Sequence, residues 1–291
     1  MSVVLDRDSR IVVQGATGHQ GQFHIGQMKQ FGTNVVAGVT PGKGGEQVHG
    51  IPVFDTVAEA VQKAEANTSL VFVPAPFAKD AVLEAVDAGC KVVIVITEHI
   101  PVHDAAVFVN YAKAKGVTLI GPNCPGACSP GASSKVGILP GTIFKPGPVG
   151  VASKSGTLTY EIVAALSEAG IGQSTCLGLG GDPVPGTTLL DAVKLFNADP
   201  ETKAIVLVGE IGGGHEEEAA EYIARHVKKP CYAYVAGRTA PEGKKMGHAG
   251  ALVEKGKGTA DSKLKAFAAA GVKVATFPTD IAQFVKADLR L

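Results

Sequence analysis

The chain has 291 residues and a mass of 29.7 kDa, enough for two ordinary domains. Its 27 basic and 27 acidic residues cancel, which argues against broad electrostatic binding to nucleic acid or to an anionic membrane. Hydrophobic residues make up 45% and charged ones 19%, so a packed core is expected, not disorder; with no tryptophan and 5% aromatics, a base-stacking platform lacks its material.

Short β-branched runs alternate with Ala-rich amphipathic stretches. Strands are expected at 10–14, 34–39, 69–73, 91–96 and 117–120, and helices at 21–31, 57–65, 77–88 and 103–115. Residues 121–148 then hold six prolines (122, 125, 130, 140, 146 and 148), which a helix or an inner strand does not tolerate. A linker is expected at 122–148, with Ile138-Leu139 packing on a neighbour. The rhythm resumes with strands at 149–152, 174–179, 204–209, 231–235 and 272–276, and helices at 157–169, 188–196, 216–227, 261–269 and 280–286. The expectation is two doubly wound α/β domains in series, 1–121 and 149–291, with ligands at the carboxyl ends of the strands.

Five cysteines (Cys90, Cys124, Cys128, Cys176 and Cys231) are an odd number in a chain that needs no covalent staples, which suits a reducing compartment. No apolar run reaches membrane-spanning length, and the N-terminal residues do not read as a signal peptide.

The loop after the first strand reads Gly15-Ala16-Thr17-Gly18-His19-Gln20-Gly21. Its glycines let backbone approach a phosphate at a helix N-terminus; a plain strand-to-helix turn explains the same spacing. The second strand ends in Thr40-Pro41-Gly42-Lys43-Gly44-Gly45 and lacks the acidic residue that holds an NAD ribose. Lys43 suits a phosphorylated ribose, as in NADP or coenzyme A, or is a solvated loop lysine. Thr97 and Glu98, at the end of the fourth strand, can hydrogen-bond a ligand amide or simply close the strand. Cys124 and Cys128 lack a second Cys or His pair at zinc spacing, so no metal site is expected.

In the second half, Ser153-Lys154-Ser155-Gly156-Thr157 precedes a helix and offers hydroxyls, N–H groups and a helix dipole to an anion, or a serine cap to the helix. His248 stands in Met246-Gly247-His248-Ala249-Gly250-Ala251, between small residues that leave its ring approachable for nucleophilic work. A nucleophilic imidazole needs one nitrogen held by an acceptor, and Glu210, at the end of a strand, is the candidate. The nearby Glu216, Glu217 and Glu218 read as first-turn charges matching a helix dipole. An orienting carboxylate, a histidine and an anion cradle are the equipment for a phosphohistidine. With no nucleoside triphosphate site in view, the phosphate donor belongs on another polypeptide.

These stretches, with Val73-Pro74-Ala75-Pro76-Phe77, Gly121-Pro122-Asn123-Cys124-Pro125-Gly126 and Gly181-Asp182-Pro183, resemble the alpha subunits of succinyl-CoA synthetase (succinate–CoA ligase) from end to end. The resemblance implies a CoA-binding Rossmann-like domain followed by a flavodoxin-like ligase domain. It implies that CoA meets Thr17, Gly18, His19, Gln20, Lys43, Ile96, Thr97 and Glu98, although His19 departs from the small polar or basic residue usual there. His248 is then the transiently phosphorylated residue and Glu210 its partner. Ser155, Gly156 and Thr157 cradle the phosphoryl group, and Tyr160 faces the organic acid. An ATP-grasp beta subunit holds ATP or GTP with Mg²⁺, and the place is the cytoplasm or, after processing, the mitochondrial matrix. Ligases for related acids such as malate share the pattern. A non-catalytic CoA-binding protein and an NADP-dependent dehydrogenase are the rival classes.

Overall fold

The computed structural model describes residues 3–241, 246–253 and 258–290. The first half comprises β1 (Ile11–Gln14), α1 (His19–Phe31), β2 (Val35–Val39), β3 (Gln47–Val48), β4 (Ile51–Phe54), α2 (Val57–Ala64), β5 (Thr68–Val71), α3 (Ala75–Asp87), β6 (Val92–Val95), α4 (Val102–Ala114) and β7 (Thr118–Ile120). Every residue of β1 and β5 is buried, as a parallel sheet covered on both faces requires. The sheet order is β3-β4-β2-β1-β5-β6-β7, and only β3 is antiparallel to its neighbour. Counted without β3, the parallel strands run 3-2-1-4-5-6, the dinucleotide-binding order, whose direction reverses between β1 and β5. The β3–β4 hairpin was not expected from the sequence.

The second half follows with β8 (Gly126–Ser129), β9 (Ser134–Gly137), β10 (Pro146–Ser153), α5 (Gly156–Glu168), β11 (Gln173–Gly178), α6 (Leu189–Ala198), β12 (Ala204–Glu210), α7 (His215–His226), β13 (Cys231–Ala236), α8 (Ala260–Ala269), β14 (Lys273–Val274) and α9 (Asp280–Leu289). Its sheet order is β14-β13-β12-β10-β11-β8-β9. Strands β10 to β14 are parallel and, counted from β10, lie 5-4-3-1-2, the flavodoxin-like order read backwards. The reversal falls between β10 and β12, so the loops after those strands face a crevice.

The stretch 122–148 carries more structure than the linker expected there. β8 and β9 form an antiparallel hairpin, and β8 pairs with β11 at Cys176↔Cys128 and Leu177↔Ala127. The prolines bracket these runs instead of interrupting them: Pro125, Pro130 and Pro140 lie outside 126–129 and 134–137. Pro146 and Pro148 fall at the start of β10, where the pairing with β11 slips register. The hairpin is pinned to the first half through Thr33, just beyond α1. Its hydroxyl donates to the Lys135 carbonyl and accepts from the Lys135 amide, both at 2.9 Å. One apolar cluster crosses between the halves, joining Ile11, Leu70 and Ile94 to Ala127, Leu177 and Leu207. Among the described residues no helix is long and apolar enough to cross a membrane.

Candidate active site

Gly15 follows β1 with φ of +81° and lies against the backbone of Phe72 just past β5, where an added Cβ would be only 3.3 Å from Phe72 atoms. A side chain on Gly21 would run into the Gly15 carbonyl. The glycine spacing therefore lets the loop fold back onto the first turn of α1. That helix begins without a side-chain cap, which leaves its first N–H groups for a ligand. Thr17 ties the loop to the end of β2, donating from its hydroxyl to Thr40 Oγ1 at 3.1 Å.

Thr17, Gly18, His19 and Gln20 line a cavity of about 900 Å³. A second cavity, of about 620 Å³, shares Gln20, Phe72, Val73 and Pro74 with the first. It passes Ile96, Thr97 and Glu98 and reaches Ser155, Gly156, Thr157, Tyr160 and His248. The two spaces adjoin at these four residues, the first at the carboxyl edge of the first sheet and the second reaching toward that of the second. Thr97 donates its hydroxyl to the Val73 carbonyl at 2.6 Å, so only its lone pairs face a ligand. Lys43 stands apart from both linings, exposed and paired with Glu46 at 3.0 Å.

Glu210 ends β12 with its side chain buried, and its Oε2 lies 2.7 Å from His248 Nδ1. The His248 side chain is 28% exposed, so one ring edge is held and the other is open. The hydrogen bond to Glu210 raises the His248 pKa against the opposing effect of burial. Behind this pair stands a ladder of buried charges. Lys154, just after β10, lies 3.7 Å from Glu210 Oε1 and 3.3 Å from Glu216 Oε1. Glu216 accepts the Glu210 amide at 3.1 Å and pairs with Lys263 of α8. Lys263 also donates to the Gly213 carbonyl at 3.0 Å. Burial pushes the Glu216 carboxyl up, but Lys154 and Lys263 outweigh it and hold the pKa below its ordinary value.

Glycines let the His248 loop seat on this ladder. A Cβ on Gly181 would collide with the His248 imidazole, and Gly250 donates its amide to the Gly181 carbonyl at 3.0 Å. Gly212, at φ of +91°, lies so close that a Cβ would strike the Gly250 carbonyl. Ser155 caps α5, its hydroxyl accepting the Leu158 amide at 3.3 Å, so the capping explanation holds and the same residue faces the cavity.

A CoA-binding domain model matches residues 6–99 and a CoA-ligase model matches residues 152–273. The chain is 57% identical to subunit alpha 2 of the ADP-forming succinate–CoA ligase of Archaeoglobus fulgidus, over 98% of this chain and 99% of that one. It is 55% identical to the Aquifex aeolicus alpha subunit, over 100% of this chain and 96% of that one. The chain belongs to the succinate–CoA ligase alpha-subunit family. Among solved structures, this alpha-family chain overlays ATP citrate lyase from Methanothrix soehngenii, in complex with citrate and coenzyme A, with a TM-score of 0.87 at 25% identity. The overlay covers 99% of this chain and 52% of that one, so the alpha-family chain spans about half the length of the lyase. The dinucleotide-forming acetyl-coenzyme A synthetase 1 of Ca. Korarchaeum cryptofilum shares the fold, with a TM-score of 0.78 at 21% identity over 96% of this chain and 60% of that one.

Sequence reasoning missed three residues of the alpha-family site. Lys154 and Lys263 drew no role, and Glu216 was expected only to be a first-turn charge matching a helix dipole. It does stand in the first turn of α7 but is also fully buried, because two lysines from distant elements neutralise it. Cys124 donates its thiol to the Val95 carbonyl at 3.2 Å, and burial pushes its pKa up to about 12, which rules out a thiolate near neutral pH.

Proposed function

We propose that this chain is the alpha subunit of a succinate–CoA ligase, in which His248 is transiently phosphorylated and CoA lies along the path from the Gly15–Gly21 loop. The observation that carries the reading is the His248–Glu210 pair opening onto the cavity that leads back to that loop. With Nδ1 engaged by Glu210, Nε2 is the free nucleophile. It attacks the terminal phosphorus of a nucleoside triphosphate, and the diphosphate leaves. A succinate carboxylate oxygen then attacks the phosphorus of phosphohistidine, the N–P bond breaks and an acyl phosphate forms. The CoA sulfur attacks the acyl carbonyl and inorganic phosphate departs. Splitting the coupling in this way replaces one difficult step with easier ones.

The start of α5, at Ser155, Gly156 and Thr157, supplies N–H groups and a helix dipole to the phosphoryl charge. Glu210 stabilises the positive ring that forms at each transfer, and Tyr160 borders the acid. Thr17, Gly18, His19 and Gln20 take the CoA phosphates, and Ile96, Thr97 and Glu98 take its amide-bearing arm. Lys43 joins by leaving Glu46, which is cheap because an exposed ion pair is worth about 1 kcal/mol or less. A beta subunit of the ATP-grasp type holds ATP or GTP with Mg²⁺. The five buried free thiols suit a reducing compartment such as the cytoplasm.

The test is intact mass of the chain with its beta partner, before and after nucleoside triphosphate. An added phosphoryl group that is acid-labile and maps to His248, and is lost in His248→Asn while CoA still binds, is the expected result. Normal ligation by His248→Asn refutes the assignment.

A further inference from the structure

The mechanism above leaves the thiol proton without an acceptor, and an ordinary thiol, with a pKa of about 8.5, is mostly protonated at neutral pH. His24 is placed to take it. It lies one helical turn after Gln20 on α1, so the two share a face. Gln20 borders both cavities, whereas His24 borders only the one that reaches His248. A CoA whose phosphates lie in the Gly15–Gly21 loop therefore directs its thiol end past Gln20 toward His24. The imidazole stacks flat on Phe72, with ring centroids 5.4 Å apart and planes 3° from parallel, and Phe23 meets it edge-on at 5.0 Å. Its plane is fixed, yet among the described residues no group hydrogen-bonds either ring nitrogen.

The other titratable groups lining this cavity serve less well. His248 is engaged with Glu210, and the Cys124 thiol is pushed up to about 12 by burial. Burial raises Tyr160, and Glu98 is a largely exposed carboxylate, a weak base for a thiol. For His24, half-burial favours the neutral imidazole, and the charge on Lys135 of β9 pushes the same way. Lys135 is itself almost fully buried with no ion-pair partner among the described residues.

Resting on the ligase reading, we propose that His24 is the general base for the thioester-forming step. The sulfur–carbon bond forms and the S–H proton passes to an imidazole nitrogen of His24. The bond from carbon to the phosphate oxygen breaks, and inorganic phosphate leaves with its electron pair. The imidazolium then returns its proton to solvent. In the cleavage direction the same imidazolium protonates the departing thiolate.

The experiment uses the complex with the beta chain. His24→Asn is expected to lower kcat for ligation about 100-fold, with KM for CoA changed less than about threefold, as loss of a general base does. In single turnovers started from the phosphorylated complex, so that His248 phosphorylation is bypassed, the acid limb of the thioester-forming rate should vanish, and imidazole in the buffer should restore part of the His24→Ala rate. Lys135→Met should shift that limb to higher pH, because removing the charge raises the His24 pKa. Wild-type kcat in both His24→Asn and His24→Gln, or a rise in KM for CoA alone, overturns the assignment of His24 while His248 phosphorylation still supports the ligase reading. Absence of a phosphoryl group on His248 in the wild-type complex overturns that reading, and this inference with it.

Discussion

Lys263→Met tests whether the charge ladder behind His248 holds the site together. Lys263 and Glu216 are both fully buried, and the ammonium also serves the Gly213 carbonyl. Removing one partner of a buried pair costs about 3–5 kcal/mol, because the other charge stays behind in a poor solvent. Here Lys154, at 3.3 Å, and the Glu210 amide still face Glu216, which places the loss near the lower end, at about 3 kcal/mol. For a chain of this size that corresponds to a fall in Tm of roughly 6–12 °C. Adding Glu216→Gln should recover about half of the loss by removing the stranded charge, leaving Lys154 with Glu210 alone. Glu216 also bonds the Glu210 amide, so His248 phosphorylation should slow in the single variant. The Glu216 pKa lies below its unfolded value, so its contribution is whole above the unfolded pKa of about 4.3 and is lost as pH falls through the folded one. Urea unfolding of the parent, the single and the double variant measures all three terms. A single variant within about 1 kcal/mol of the parent refutes the ladder as a structural element.

Glu210→Gln should lower the His248 pKa, read from its ring proton by NMR titration, because the foremost raising cause is that hydrogen bond. In the parent, the stability His248 contributes is whole below its unfolded pKa of about 6.5 and is lost as pH rises through the higher folded value. Gly181→Ala should drive a methyl group into the imidazole and cut phosphorylation about 100-fold, with CoA affinity by calorimetry unchanged. All five cysteines should resist a thiol reagent at pH 8 in the folded chain and react in denaturant, since each is buried; burial pushes Cys90, Cys124, Cys176 and Cys231 up to about 12 and Cys128 well above the usual thiol range.

The two doubly wound sheets were legible because parallel strands buried on both faces leave continuous β-branched runs. The Glu210–His248 pairing was legible for a related reason: a carboxylate at a strand end and a histidine among small residues both stand out locally. Glu216 did not, because its burial depends on Lys154 and Lys263, separated from it by 62 and 47 residues. Three glutamates at a helix start look alike in sequence, and the distant lysines decide which one turns inward. The β3–β4 hairpin escaped because a two-residue strand has no periodicity to detect. Counting the prolines of 122–148 hid β8 and β9, whereas their spacing leaves the proline-free runs 126–129 and 131–139, which hold the two strands.

That hairpin governs how the molecule can be dissected. β8 covers the outer edge of β11 at Cys176 and Leu177, and β9 carries the carbonyl and amide that grip Thr33. A fragment starting at residue 149 would expose β11 as an unpaired edge, open to pairing with another copy. A fragment ending at residue 121 would strip Thr33 of both its bonds. Soluble, separately folded halves therefore call for a cut that leaves 126–137 with the second half and replaces Thr33 in the first.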